Sequence, residues 1–192
     1  MDTEIITGVS GFGRCGSSMV MQMLHAGGMP IYDAKGPAFE CGRILGLPDD
    51  SDWVKDARGQ AVKFLDPHIF TPPPDLEYRF IWLTRDHEQQ AKSMVKFGNL
   101  LGTIVDPNQW PVLAESFKVD EPKALAILEE LSQGRILKLN FESILEGSIL
   151  TAQNLNQFCG YSLNPMNASG VVIPRPPEAI GGKLEMTLLG YY

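Results

Sequence analysis

The stretch Gly11 to Ser18, GFGRCGSS, constrains the fold more than any other, because its three glycines separate a short β-branched run from a segment free of breakers. Before it stands Ile5 to Val9 (IITGV), short and β-branched, which reads as a buried strand running into a tight loop. After it stands Ser18 to Ala26 (SMVMQMLHA), a helix stopped by Gly27 and Gly28. Strand, loop and helix in that order are half of a βαβ unit, so further parallel strands with crossover helices are expected.

The rest of the chain supplies them. Ala61 to Leu65 (AVKFL) and Tyr78 to Thr84 (YRFIWLT) read as strands, the second entered through the stiff connector TPPPDLE. Glu88 to Phe97 and Lys123 to Gln133 read as helices, Arg135 to Leu139 (RILKL) as a strand and Ser148 to Phe158 as a last long helix. Met29 to Arg58 is punctuated by Gly and Pro and is expected to be irregular, as is Gly98 to Glu121. The fold class is therefore α/β, a three-layer sandwich with a mostly parallel central sheet of the P-loop NTPase type, and ligands are expected at the carboxyl ends of its strands. With 192 residues, 44% of them apolar, one domain over 1–192 is expected, with 174–192 as a Pro-rich surface arm.

Charge narrows the partners. Against 16 Lys plus Arg stand 23 Asp plus Glu, a net −7, which argues against a basic stripe for nucleic acid or an anionic membrane and confines any phosphate site to a local pocket. Cys15, Cys41 and Cys159 have neither metal-ligand spacing nor the even count of a disulfide framework, so no metal is expected. The acidic, then apolar, start and the lack of any spanning-length apolar run lead to the expectation of a cytoplasmic protein.

The glycine spacing of the loop is that of a Walker A motif, but Ser17 stands at the lysine position and Ser18 at the usual hydroxyl position. Backbone N–H groups at the start of a helix bind phosphate without a lysine, and Arg14 adds a charge inside the loop. Arg14-Cys15-Gly16-Ser17-Ser18 resembles the 5′-phosphosulfate loop of the sulfotransferases that use 3′-phosphoadenosine 5′-phosphosulfate (PAPS), in the arginine-bearing form of bacterial and carbohydrate-type members. The resemblance implies that Gly13, Arg14, Cys15, Gly16, Ser17 and Ser18 hold the 5′ end of that co-substrate.

A second motif is spaced independently. Arg85 ends the strand YRFIWLT and Ser93 lies two turns into the next helix (RDHEQQAKS), so both can reach one anion. The alternative is that Arg85 pairs with Asp86 or Glu88 and Ser93 is a helix surface residue. The pair is similar to the family's 3′-phosphate site, with His87 for its proline. NFESIL, with Phe141, is similar to a later family segment.

Transfer to an acceptor oxygen needs a base and cations near the departing group. Glu40 (AFECG) resembles the base of carbohydrate-type and bacterial members. His68 and Asp66 (KFLDPH) lie near the histidine of cytosolic members, and Lys63 resembles a bacterial strand lysine. The plainer alternatives are a solvated Glu40 paired with Arg43, a turn-capping His68 and a Lys63 snorkelling to the surface. Trp53 and Trp110 either line an acceptor pocket or plug the domain edge. The function implied is sulfuryl transfer from PAPS to a hydroxyl or amine of a small-molecule or carbohydrate acceptor, alone or as a homo-oligomer. The alternatives are a P-loop kinase of small molecules or nucleotides and a non-catalytic nucleotide-binding domain.

Overall fold

The computed structural model describes residues 4–33, 35–36, 38–103 and 106–173. The expected arm at 174–192 lies outside the described residues. Four strands, β1 (Ile6–Gly11), β2 (Ala61–Leu65), β3 (Tyr78–Thr84) and β4 (Ile136–Asn140), form an all-parallel sheet in the order β2-β1-β3-β4. Between and after them run α1 (Ser17–Ala26), α2 (His87–Leu100), α3 (Trp110–Ser132), α4 (Phe141–Glu146), α5 (Ser148–Cys159) and α6 (Pro165–Gly170). No helix among the described residues is long and apolar enough to cross a membrane.

The two-residue period of each strand divides its side chains between two cores. Val9, Ile81, Leu83 and Leu139 face α1, α4, α5 and α6, where Val20, Leu24, Ile144 and Leu155 meet them. Val62, Phe64, Tyr78, Phe80 and Trp82 face the other side, against Ala91 of α2, Phe117 and Leu128 of α3, and Trp53 and Val54 of a 3₁₀ turn. Each such large apolar side chain, fully buried, contributes about 1.5–3 kcal/mol. With helices on both faces, the strands read as continuous apolar runs rather than alternating ones.

Gly8 lets the aromatic face close. A Cβ there would lie 2.3 Å from the Phe80 ring and 3.2 Å from that of Phe64. Gly8→Ala is expected to destabilise the protein by about 1–3 kcal/mol through overpacking, measured by urea unfolding. A loss within error of zero would show that the Phe80 ring has room to move aside.

The expected helix at Lys123–Gln133 begins at Trp110 instead, so most of the irregular segment expected at Gly98–Glu121 is helical. Pro111 falls in the first turn, where no hydrogen bond is lost. Pro122 lies inside the helix, a placement that costs about 3 kcal/mol, offset by burial of Ala114, Phe117, Ala124 and Leu128 against the sheet. The helices α4 and α6, six residues each, are too short for periodicity to reveal.

Candidate active site

The loop at the carboxyl end of β1 is folded by its glycines. Gly11 has φ 147°, and a Cβ on it would lie 2.8 Å from both Cys15 Sγ and the Leu83 carbonyl. Gly16, at φ 99°, begins α1, and a Cβ there would meet the Phe141 ring at 2.5 Å. The loop is thus pressed between β3 and α4. The cap residue Gly16 has no side chain to offer α1; the Met19 and Val20 N–H groups return to its carbonyl at 3.0 and 3.3 Å, and the positive end of the helix dipole adjoins the loop. Cys15 turns its side chain into the apolar core, where burial pushes the thiol up to about 11, so it offers packing rather than a nucleophile.

Both basic motifs close on this loop. Arg14 sits at φ 69°, donates from Nε to Ser93 Oγ at 3.2 Å and lies 4.4 Å from the centre of the Phe97 ring. Arg85, with a side chain 4% exposed, donates from Nη1 to the Arg14 carbonyl at 3.1 Å and stands 4.4 Å over Phe141. Its Nε is 3.9 Å from Glu142. The pairing differs in detail from the expectation: Ser93 meets Arg14 directly, while Arg85 reaches the loop through its backbone. Of the acidic neighbours considered as partners for Arg85, Asp86 caps α2, accepting from the Gln89 N–H at 2.9 Å, and Glu88 lies 3.5 Å from the Lys92 ammonium.

On the other side of the loop stands Lys63. It lies mid-way along β2 on the face toward α1, and its side chain is 1% exposed. Its Nζ donates to Ser18 Oγ at 3.1 Å, to the Ala38 carbonyl, and to Glu40 Oε1 at 2.6 Å. Burial pulls the ammonium pKa down, and the attraction of Glu40 opposes that shift. Snorkelling is therefore not what this lysine does. Glu40 itself is half exposed, and Arg43 donates instead to the Tyr32 hydroxyl at 3.3 Å. Loop hydroxyl, strand lysine and glutamate form one connected group.

His68 belongs to a separate group. Its ring meets Phe12 edge-on at 5.5 Å, its Nε2 is 3.9 Å from Asp120 of α3, and its buried Nδ1 has no hydrogen-bond partner among the described residues. Asp66, at φ 51°, accepts the Gly13 N–H; burial raises its carboxyl pKa, and His68 and that hydrogen bond oppose the shift. Trp53 is 1% exposed and stacks on Tyr32, so it is core rather than a pocket wall. Trp110 takes the Lys92 ammonium 4.3 Å over its ring.

Sequence reasoning missed Gln90. It is 2% exposed, and its Nε2 donates to the carbonyls of Phe12 at 3.2 Å and Gly13 at 2.9 Å. A glutamine carries no motif; its place on the inward face of α2, three residues before Ser93, was the only available signal.

This combination, a parallel sheet with a glycine loop at its centre and arginines folded over it, is that of a P-loop-type α/β protein. No protein-family model matches the chain, and no curated protein matches it in sequence. Solved structures do. The sulfotransferase domain from the Synechococcus PCC 7002 olefin synthase superposes with TM-score 0.62 at 15% identity, covering 96% of this chain and 83% of that one. Retinol dehydratase in complex with androsterone and the inactive cofactor PAP gives TM-score 0.54 at 16% identity, over 87% of this chain and 63% of that one. Its complex with retinol and PAP gives 0.55 at 13%, over 97% and 79%. The chain thus spans less than two thirds of the length of one of these structures, and it shares their fold.

Proposed function

We propose that this protein is a sulfotransferase that moves a sulfuryl group from PAPS to a hydroxyl-bearing small molecule. The observation that carries the reading is the meeting of Arg14, Ser93 and Arg85 at the loop, three donors drawn from two separately spaced motifs. Two separate groups of donors support a nucleotide with phosphate at both 5′ and 3′ positions. The uncapped start of α1 and the buried Lys63 ammonium at Ser18 serve one anion, and the Arg14–Ser93–Arg85 group serves another.

Bound there, PAPS supplies the sulfuryl group and a departing phosphate. Lys63, held charged by Glu40, places a cation at the loop where negative charge develops. Glu40, half exposed and already oriented by Lys63, accepts the acceptor's hydroxyl proton. His68, engaged with Asp120 and Phe12, is the second candidate base. The small-molecule acceptor follows the retinol and androsterone of the fold relatives, and a reducing cytoplasm suits the three free, buried cysteines.

Adenosine 3′,5′-bisphosphate, the product left by PAPS, is expected to stabilise the protein by about 2.7 kcal/mol at a hundredfold excess over Kd, a rise in Tm of about 5–10 °C. ATP should give a much smaller rise; an equal or absent bisphosphate shift sinks the reading. Arg85→Ala is expected to weaken bisphosphate binding by about 10- to 100-fold, the worth of a charged hydrogen bond. It should weaken the 5′-monophosphate less, and calorimetric losses equal for both would refute a 3′-phosphate role.

A further inference from the structure

The peptide units that flank Arg14 are both pinned from α2 and the end of β3. Gln90 Nε2 donates to the carbonyls of Phe12 and Gly13, and Arg85 Nη1 donates to that of Arg14. Three consecutive loop carbonyls therefore accept buried side-chain donors, and the Cys15 N–H closes a turn back onto the Phe12 carbonyl at 3.2 Å.

Arg14 adopts φ 69°, a region that a residue with a Cβ holds only when its surroundings over-determine it. Here they do: Gln90 fixes the peptide before its Cα and Arg85 the peptide after it. Both partners of the Gln90 amide are carbonyls, so only its NH₂ fits that face. The glutamine is almost fully buried and donates across 77 and 78 positions of sequence, far from any local turn.

We infer that Gln90 is a positioning residue of the phosphate loop: it holds Arg14 in the left-handed conformation that sends its guanidinium to Ser93. The inference rests on the nucleotide-binding reading above and adds a residue to it. Gln90 has no contact with the anion; it acts through the backbone.

Two substitutions test it. Gln90→Met keeps the length and removes both donors. Calorimetry below the melting temperature is expected to show binding of adenosine 3′,5′-bisphosphate and of adenosine 5′-monophosphate weakened at least tenfold, in a protein whose circular dichroism is unchanged. Gln90→Glu sets a carboxylate against two carbonyls at neutral pH and regains one O–H donor when protonated. Its deficit relative to wild type should narrow as the pH falls from 8 to 5.5, a response that a merely structural role would not give. Wild-type affinity in a folded Gln90→Met protein, or a deficit in Gln90→Glu that is flat with pH, overturns the inference. Hydrogen exchange of the peptide spanning Gly11 to Ser18, without ligand, decides it even if the wild type binds neither nucleotide. At least tenfold faster exchange in Gln90→Met supports the bracing role, and unchanged exchange refutes it.

Discussion

Glu40→Gln is expected to bind adenosine 3′,5′-bisphosphate within about twofold of wild type while sulfuryl transfer falls by about 10²- to 10⁴-fold, the usual contribution of a positioned general base. The separation follows from the geometry. Glu40 meets the loop through Lys63, at 2.6 Å, and its own side chain is half exposed, so glutamine preserves shape and an oxygen that accepts from the ammonium, and forfeits the proton acceptor and the negative charge beside Lys63. The measurement pairs calorimetry of the bisphosphate with the rate of its release from PAPS in the presence of a hydroxylated acceptor found by screening. Loss of binding in step with loss of rate would make Glu40 a binding residue. An unchanged rate would transfer the base role to His68, and His68→Gln is then the variant that should fall.

Lys63→Met should uncouple activity from stability. Removing a cation placed where charge develops is expected to lower transfer by about 10²- to 10³-fold. Methionine relieves the desolvation of a buried ammonium, and the Glu40 carboxylate that it leaves without this partner is half exposed and stays hydrated, while the Ala38 carbonyl left without its donor costs about 1–3 kcal/mol. The variant should therefore lie within about 2 kcal/mol of wild type at pH 7. The sign of the pH dependence is fixed by burial. Lys63 has a folded-state pKa below its unfolded value of about 10.4, so between those two values the unfolded chain binds more protons and the wild type gains stability as the pH rises. The methionine variant lacks that gain, so its stability relative to wild type should decline as pH increases across this window. Urea unfolding of both proteins from neutral to alkaline pH measures the difference, and a difference that does not move would mean that Lys63 is not desolvated.

Much of this architecture was legible residue by residue. Ala61–Leu65 and Tyr78–Thr84 appear as strands with the boundaries expected, because buried parallel strands leave unbroken β-branched and aromatic runs between clear breakers. The first half of α3 was not legible, since Pro122 argues locally against a continuous helix and the stacking of Phe117 on Phe12, at 5.3 Å, and its burial against the sheet argue for it. The loop and the Arg85–Ser93 pair were readable from spacing, but their connection was not. Whether Ser93 meets Arg85 or Arg14 depends on how far α2 leans over the loop, which is tertiary information. Gln90 and Asp66 were invisible as loop partners for the same reason: each acts on backbone atoms distant in sequence, which no side-chain pattern encodes.

The close approach of Phe80 to Gly8 reaches beyond this one chain. Space on that face of the sheet is shared between neighbouring strands, so the two positions form a single unit of selection. In any homologue that keeps this sheet, a residue larger than glycine at position 8 should be accompanied by a smaller one at position 80, and drift at one site alone should be purged. An alignment deep enough to resolve pairwise covariation would show the two columns changing together, and would tie the strand carrying the glycine loop to its central neighbour.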